Sequence, residues 1–188
     1  MKNKLSLLLA VLLMVALSGC RDTSKPLQDA RLSKVETQTS EKKQSSLDKP
    51  GGPVTDLVGV LNDGDISDIT NQIIDLDSLH LAQVAVVVAP DLEGKSVLDF
   101  ATELGNKWGV GHKDTNDGIT IVIKPKDAKS KGEAAIATGL GMEKLLSNET
   151  CNNIINEVMI PEFKQNNYGE GIKKTLGKIK DILTENKE

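Results

Sequence analysis

The sequence predicts an α/β fold, a small mixed sheet with helices over both faces and a helical C-terminal half, on three observations. Gln83-Val-Ala-Val-Val-Val-Ala89 is a β-favouring run with no polar alternation, as expected of a strand buried on both faces. A stripe at helical spacing follows, and then Ile119-Thr-Ile-Val-Ile123, a second apolar strand, so the three pieces form a βαβ unit with parallel strands. Beyond Gly139 the apolar residues recur at helical spacing to the end of the chain.

The chain opens on an address. Lys2 and Lys4 precede an apolar core from Leu5 to Val15, and Leu17-Ser-Gly-Cys20 closes it, the pattern of a secretory signal over residues 1–19. That apolar run is too short for a good transmembrane helix. Its Leu-Ser-Gly-Cys ending resembles the bacterial lipobox, which implies cleavage before Cys20, acylation of its thiol, and attachment by lipid to a bacterial membrane on the periplasmic side or outer surface. The other reading of these residues is cleavage by the ordinary signal peptidase, leaving Cys20 a free thiol.

Residues 20–53 read as the lipidated cysteine and a flexible spacer. Polar and charged residues dominate, and Leu27, Leu32, Val35 and Leu47 are too few to fold or to contribute packing. Residues 54–186 are one domain's worth of chain. Of 27 acids and 23 Lys and Arg, the signal takes two bases and the spacer seven bases and five acids, leaving 22 acids against 14 bases, a net of −8. A domain this acidic, with no Arg, one Trp and one Tyr, lacks the basic patches and stacking rings that nucleic acid requires. Cations or basic partners suit it better. With Cys20 lipidated, Cys151 has no partner, and among Ile154, Ile155 and Val158 it reads as a buried helical thiol.

Val54 to Leu61 leads into the domain and carries one carboxylate, Asp56, of the kind that serves a turn or cap. Asn62 or Asp65 caps a helix with Ile66, Ile69, Ile73 and Leu76 on one stripe. Pro90 and Asp91 end the valine-rich strand. Ser96 caps the next helix, where Val97, Ala101, Leu104 and Trp108 repeat at four, three and four, and Gly109 and Gly111 terminate it. The loop holding Lys124, Lys126, Lys129 and Lys131 is too short for a helical crossover, so Ala134-Ala-Ile-Ala-Thr138 returns antiparallel. It is the one cationic feature of an acidic domain. Glu149 to Phe163 is a helix that Pro161 kinks or restarts, and the last helix aligns Ile172, Leu176, Ile179 and Leu183.

Asp114, Asn116 and Asp117 place side-chain oxygens between the glycines and the second strand. Such a loop suits a hard cation or phosphate chemistry, and it also reads as a plain turn. It is not an EF-hand, because Lys113 stands five before Gly118 and the twelfth-position Glu has no counterpart. His80 and His112 show no metal-ligand spacing; His112 reads as a solvated loop residue, and no histidine is expected beside a carboxylate pair. Gly139-Leu-Gly-Met-Glu143 lacks the Gly-Lys-Ser/Thr ending of a phosphate loop, and no organic cofactor is implied. Glu157 stands where a cysteine phosphatase built on Cys151 would need arginine.

Six motifs in order, Val-x-Asp at 54–56, Gln-Val-Ala-Val-Val at 83–87, Trp-Gly-Val-Gly at 108–111, Asn-Asp-Gly-Ile at 116–119, Gly-Leu-Gly-Met-Glu at 139–143 and Ile-x-Pro-x-Phe…Tyr-x-x-Gly-Ile from 160 to 172, resemble the TPM domain. The resemblance covers the whole expected domain. It implies a three-layer α/β/α sandwich of the thylakoid-lumen phosphatase type, presented outside the cytoplasm on a lipid or transmembrane anchor. Plant relatives are assigned acid phosphatase activity, animal relatives modulate receptors, and bacterial relatives look like calcium binders. The family's Asp-Asn-Gly stands here as Asn116-Asp117-Gly118, with the acid moved one place and an oxygen donor kept at each position.

Two functional expectations follow, beside a third reading of a folded lipoprotein domain that binds no ion. One is an envelope accessory module that binds calcium and assists a protein partner, its hard oxygen ligands coming from Asp56, Asp114, Asn116 and Asp117 with Glu143 as a further donor. The other is a metal-dependent acid phosphatase in which the same carboxylates hold a divalent cation that polarises a phosphomonoester and activates water. Against catalysis stand the missing nucleophile and the lack of any arginine in the domain to clamp phosphate.

Overall fold

The computed structural model describes residues 47–48 and 50–186. The expected signal, Cys20 and most of the expected spacer lie outside the described residues. Four strands form one sheet in the order β1 (Val54–Asp56), β2 (Gln83–Val88), β3 (Gly118–Lys124) and β4 (Glu133–Thr138). β1 and β2 are parallel with Val54 beside Val86 and Asp56 beside Val88, and β2 and β3 are parallel with Gln83 beside Gly118 and Val88 beside Ile123. β4 returns antiparallel, Lys124 facing Glu133 and Ile119 facing Thr138, so the sheet is mixed as the short lysine loop requires.

Strand periodicity explains why the sheet carries two cores. Val84, Val86 and Val88 with Ile119, Ile121 and Ile123 face one side, while Val87, Ala89 and Val122 face the other. Every residue of β3 is buried, which is the physical content of a strand with no polar alternation. On the first side lie α1 (Asp63–Ser78), α3 (Asn148–Ile154) and α5 (Tyr168–Glu185), whose Ile69, Ile73, Leu76, Leu176 and Ile179 fill the larger core. On the second side α2 (Val97–Trp108) seats Phe100, Ala101 and Leu104 against Val87 and Val122. This is an α/β sandwich with helices on both faces of a small mixed sheet.

Helix starts follow side-chain capping. The Asn62 side chain accepts from Asp65 N at 2.9 Å, Ser96 Oγ from Asp99 N at 3.1 Å, and Ser147 Oγ from Thr150 N at 3.2 Å. The expected helix from Glu149 to Phe163 is continuous but not uniform. After α3 the chain widens into a π-helical turn, Ile155–Met159, in which Ile160 N–H donates to Ile155 O, and it resumes as α4 (Ile160–Phe163) with Pro161 in the first turn. Pro161 has no N–H to give, and the π turn just before it lets the helix restart rather than break. Cys151 is buried in α3, its Sγ 3.6 Å from Leu146 O.

Two features differ from the sequence expectation. Val54–Asp56 is a strand at the sheet edge and not merely an entry segment. Leu47, assigned to a spacer without packing, is buried against Phe100 and Leu104 in the smaller core, and Asp48 pairs with Lys107 at 2.7 Å. No helix among the described residues is long and apolar enough to cross a membrane.

Candidate functional site

The loop between α2 and β3 is shaped by close backbone approaches. Gly109 ends α2 in the left-handed conformation. Two residues on, Gly111 has φ 107°, and a Cβ there would stand 2.5 Å from Gly118 N, so only glycine lets the two ends of the loop close. The Gly111 N–H donates to Gln83 Oε1 at 2.7 Å, fastening the loop to the first residue of β2. A second loop holds it from the other side: Gly139 N–H donates to Gly118 O at 2.8 Å and Gly141 N–H to Asn116 O at 3.0 Å. A Cβ on Gly141 would collide with Thr115 O, which is why the Gly-x-Gly after β4 belongs to this site and not to a phosphate cradle.

Asp117 is the buried member of the loop, 5% exposed in a chain segment whose other acids are solvated. Its Oδ1 accepts from His112 N–H at 2.7 Å, and the His112 ring places Nδ1 at 3.2 and 3.1 Å from Oδ1 and Oδ2. Burial pushes the Asp117 pKa up, but the His112 main-chain N–H, the Thr115 hydroxyl and the His112 ring together hold it below its ordinary value. The carboxylate is therefore ionised although it is buried. The other ring nitrogen of His112, Nε2, lies 3.5 Å from Asp77 Oδ1 at the end of α1. A neutral imidazole can donate to just one of two such neighbours, whereas the protonated ring donates to both.

His112 is exposed, as expected of a loop residue, but the expectation that no histidine stands beside a carboxylate pair is corrected. The ring is half exposed, yet it spans Asp117 and Asp77. Sequence distance conceals Asp77, because α1 delivers it from another part of the chain. The constellation borders a cleft of about 310 Å³ lined by Ile73, Ile74, Asp77, Gln83, Trp108 and Val110, so a charged rim meets an apolar wall at the amino ends of β2 and β3.

Of the residues expected to share a cation, the fold brings together Asp114, Asn116 and Asp117 on one loop, with Asn116 in the left-handed region at φ 51° and both Asp114 and Asn116 exposed. Glu143 is exposed in the turn after Gly141, the residue that bonds to Asn116. Asp56 is not brought to this end. It stands beside Val88, which stands beside Ile123, six residues beyond Asp117, so roughly 20 Å of strand separates the two carboxylates. Asp56 instead caps its own turn, accepting from Val58 N–H and Gly59 N–H on Oδ1 and from Leu61 N–H on Oδ2 at 2.8–2.9 Å. Among the described residues no three His, Cys, Asp or Glu side chains are grouped as a ready metal cage. A cation at Asp117 would draw the rest of its shell from Asn116, main-chain carbonyls and water, all oxygen donors of the hard kind calcium takes.

A family model described as the TPM domain matches residues 54–182. The solution structure of the N-terminal domain of a protein from P. gingivalis is similar at 28% identity and a TM-score of 0.62, over 71% of this chain and 82% of that one. The solution structure of the N-terminal domain of a Corynebacterium glutamicum protein shares the fold at 12% identity and a TM-score of 0.56, over 74% of this chain and 84% of that one. No curated protein matches the chain.

Proposed function

The chain belongs to the TPM domain family, and from that premise we propose that it is a lipid-anchored, extracytoplasmic accessory module that binds calcium at the Asp117 loop and assists proteins of the cell envelope. The observation that carries the ion is Asp117 itself, a buried carboxylate held ionised on the same loop as Asp114 and Asn116. A negative charge that burial has not neutralised attracts a cation more strongly than a solvated one. Support for the address comes from the sequence through Cys20. Replacing Cys20 with Ser should move the chain from the membrane to the soluble fraction after signal cleavage, and retention would refute the lipid anchor.

The test of the ion is calcium titration of the full chain followed by thermal unfolding. A ligand that binds only the folded state adds about 2.7 kcal/mol at a hundred times its Kd, which raises Tm by several degrees. Magnesium should raise it less, since it gives up its waters reluctantly. Asp117→Asn should abolish the calcium response. A melting curve unmoved by millimolar calcium overturns the reading.

A second reading, metal-dependent hydrolysis of phosphomonoesters, is favoured by the contact of His112 with Asp117 and Asp77, an arrangement able to pass a proton beside bound substrate. Turnover of p-nitrophenyl phosphate by the full chain should then fall with His112→Gln and with Asp117→Asn. Turnover that survives both excludes this site.

A further inference from the structure

Three lysines of this acidic domain, Lys124, Lys126 and Lys164, line one recess that the calcium reading does not use. The tip of the β3–β4 hairpin and the corner between α4 and α5 enclose a recess of about 220 Å³, whose apolar floor is Ile160, Phe163 and Tyr168 and whose rim carries Lys124, Lys126 and Lys164 with one acid, Glu133. Phe163 and Tyr168 pack with ring centroids 4.8 Å apart and planes tilted by 38°, and both are half-buried. The floor packs closely on α5: a Cβ on Gly171 would stand 2.7 Å from Phe163 Cε1.

Two of the rim lysines, Lys126 and Lys164, differ from five of those elsewhere on the domain, while Lys124 on the same rim lies 3.8 Å from Glu133. Lys95, Lys107, Lys173, Lys174 and Lys180 each pair with a carboxylate. Among the described residues Lys126 and Lys164 pair with none, and Lys129 and Lys131 on the same hairpin likewise have no carboxylate partner. Of the acids close by, Glu133 lies 3.8 Å from Lys124, and two others are engaged away from Lys126 and Lys164. Glu162 accepts from Lys174 at 2.6 Å and from Asn167 at 3.3 Å, and Asp127 Oδ1 accepts from the N–H groups of Lys129 and Ser130. The result is an apolar hollow whose rim carries three lysines and one carboxylate, with Lys126 and Lys164 unpaired among the described residues.

We propose that this recess docks an acidic segment of a partner protein, one that presents a single large apolar side chain flanked by carboxylates. The side chain enters over the Phe163–Tyr168 pair, and the carboxylates meet Lys126 and Lys164, whose charges no carboxylate among the described residues answers. Charge complementarity selects the partner, since a basic segment would meet like charge at the rim. A membrane surface fits less well. The loop from Pro125 to Gly132 has no large apolar residue to insert into lipid, and the aromatic rings line a hollow that receives rather than protrudes.

The experiment uses the full chain held in zwitterionic nanodiscs and a fluorescent peptide with the core Glu-Asp-Phe-Asp-Glu between Gly-Ser flanks, read by anisotropy. The peptide should bind, and binding should weaken about tenfold between about 50 and 300 mM salt. Lys126→Glu and Lys164→Glu should each weaken it about fivefold, and so should replacing the peptide's Phe by Ser. Lys178→Glu, on an exposed turn of α5, should leave it unchanged. Failure of the acidic peptide to bind overturns the proposal, as does equal binding of a peptide with Lys in place of its acids or equal loss with Lys178→Glu. Two other results also overturn it in favour of another occupant. Sequestration of Lys126 and Lys164 by phosphatidylglycerol nanodiscs, with no peptide binding in the zwitterionic ones, would assign the recess to a lipid surface. Concentration-dependent self-association abolished by the same two substitutions would assign it to a second copy.

Discussion

The indole Nε1–H of Trp108 donates to the main-chain carbonyl of Leu47 at 2.9 Å, joining the last turn of α2 to a residue 61 positions earlier. The contact closes the smaller core on its open side, because the Leu47 side chain lies on Phe100 and Leu104. Trp108→Phe should cost about 1 kcal/mol, the net worth of one hydrogen bond. Trp108→Ala should cost about 2–3 kcal/mol, less than a fully buried aromatic because the ring is half-buried. In a double-mutant cycle with Leu47→Ala the two should couple by about 0.5–1 kcal/mol. Urea unfolding of the four proteins measures this, and strict additivity would mean that the N-terminal segment does not pack in solution.

Asp117 sets a pH dependence. Its pKa is lower in the folded protein than in the unfolded chain, so its contribution to stability is present above the unfolded value and is lost as pH falls through the folded one. In EDTA, Asp117→Asn should cost about 1–2 kcal/mol at pH 7, and the gap to the parent protein should shrink below about pH 4. Denaturant melts at several pH values measure it. A gap that stays constant into acid would mean that His112 and Thr115 do not hold the carboxylate.

Two glycines should respond to alanine with opposite signs. At Gly111 a Cβ meets Gly118 N at 2.5 Å and φ is 107°, so Gly111→Ala should destabilise by more than about 2 kcal/mol. At Gly177, inside α5, nothing lies within 4 Å of a new Cβ, and Gly177→Ala should stabilise by about 0.5–1 kcal/mol through helix propensity. Thermal melts compare them directly. Similar Tm values for the pair would contradict the loop closure.

Burial pushes the Cys151 thiol up to about 11, far from the thiolate that alkylates. In a Cys20→Ser background at pH 8, iodoacetamide should modify Cys151 more than about tenfold slower in the native chain than in urea. Equal rates would place the thiol at the surface.

How much of this was legible in the residues depends on the range of the interaction concerned. Strands β2 and β3, the helical stripes through Ile69–Leu76 and Ile172–Leu183, the cap at Ser96, and the antiparallel return of β4 were all readable from sequence, because periodicity, capping and loop length act within a few residues, while the choice of Asn62 over Asp65 as a cap was not. The TPM family was readable too, from motifs kept in order. What the residues alone left open were the relations that only the assembled sheet creates. Val54–Asp56 is too short to show a period, and it is a strand because Val86 and Val88 lie beside it. Asp56 and Asp117 look equivalent along the chain, yet parallel register sends them to opposite ends of the strands. His112 became a partner of Asp117 through the closure of the Gly111 loop, and of Asp77 because α1 ends there. Leu47 gained its place from a ring on α2 that is distant in sequence. A side chain's secondary structure is set mainly by its neighbours in sequence, whereas its partner is set by which loops and helix ends the sheet brings to the same edge, and that is decided only when the whole chain has packed.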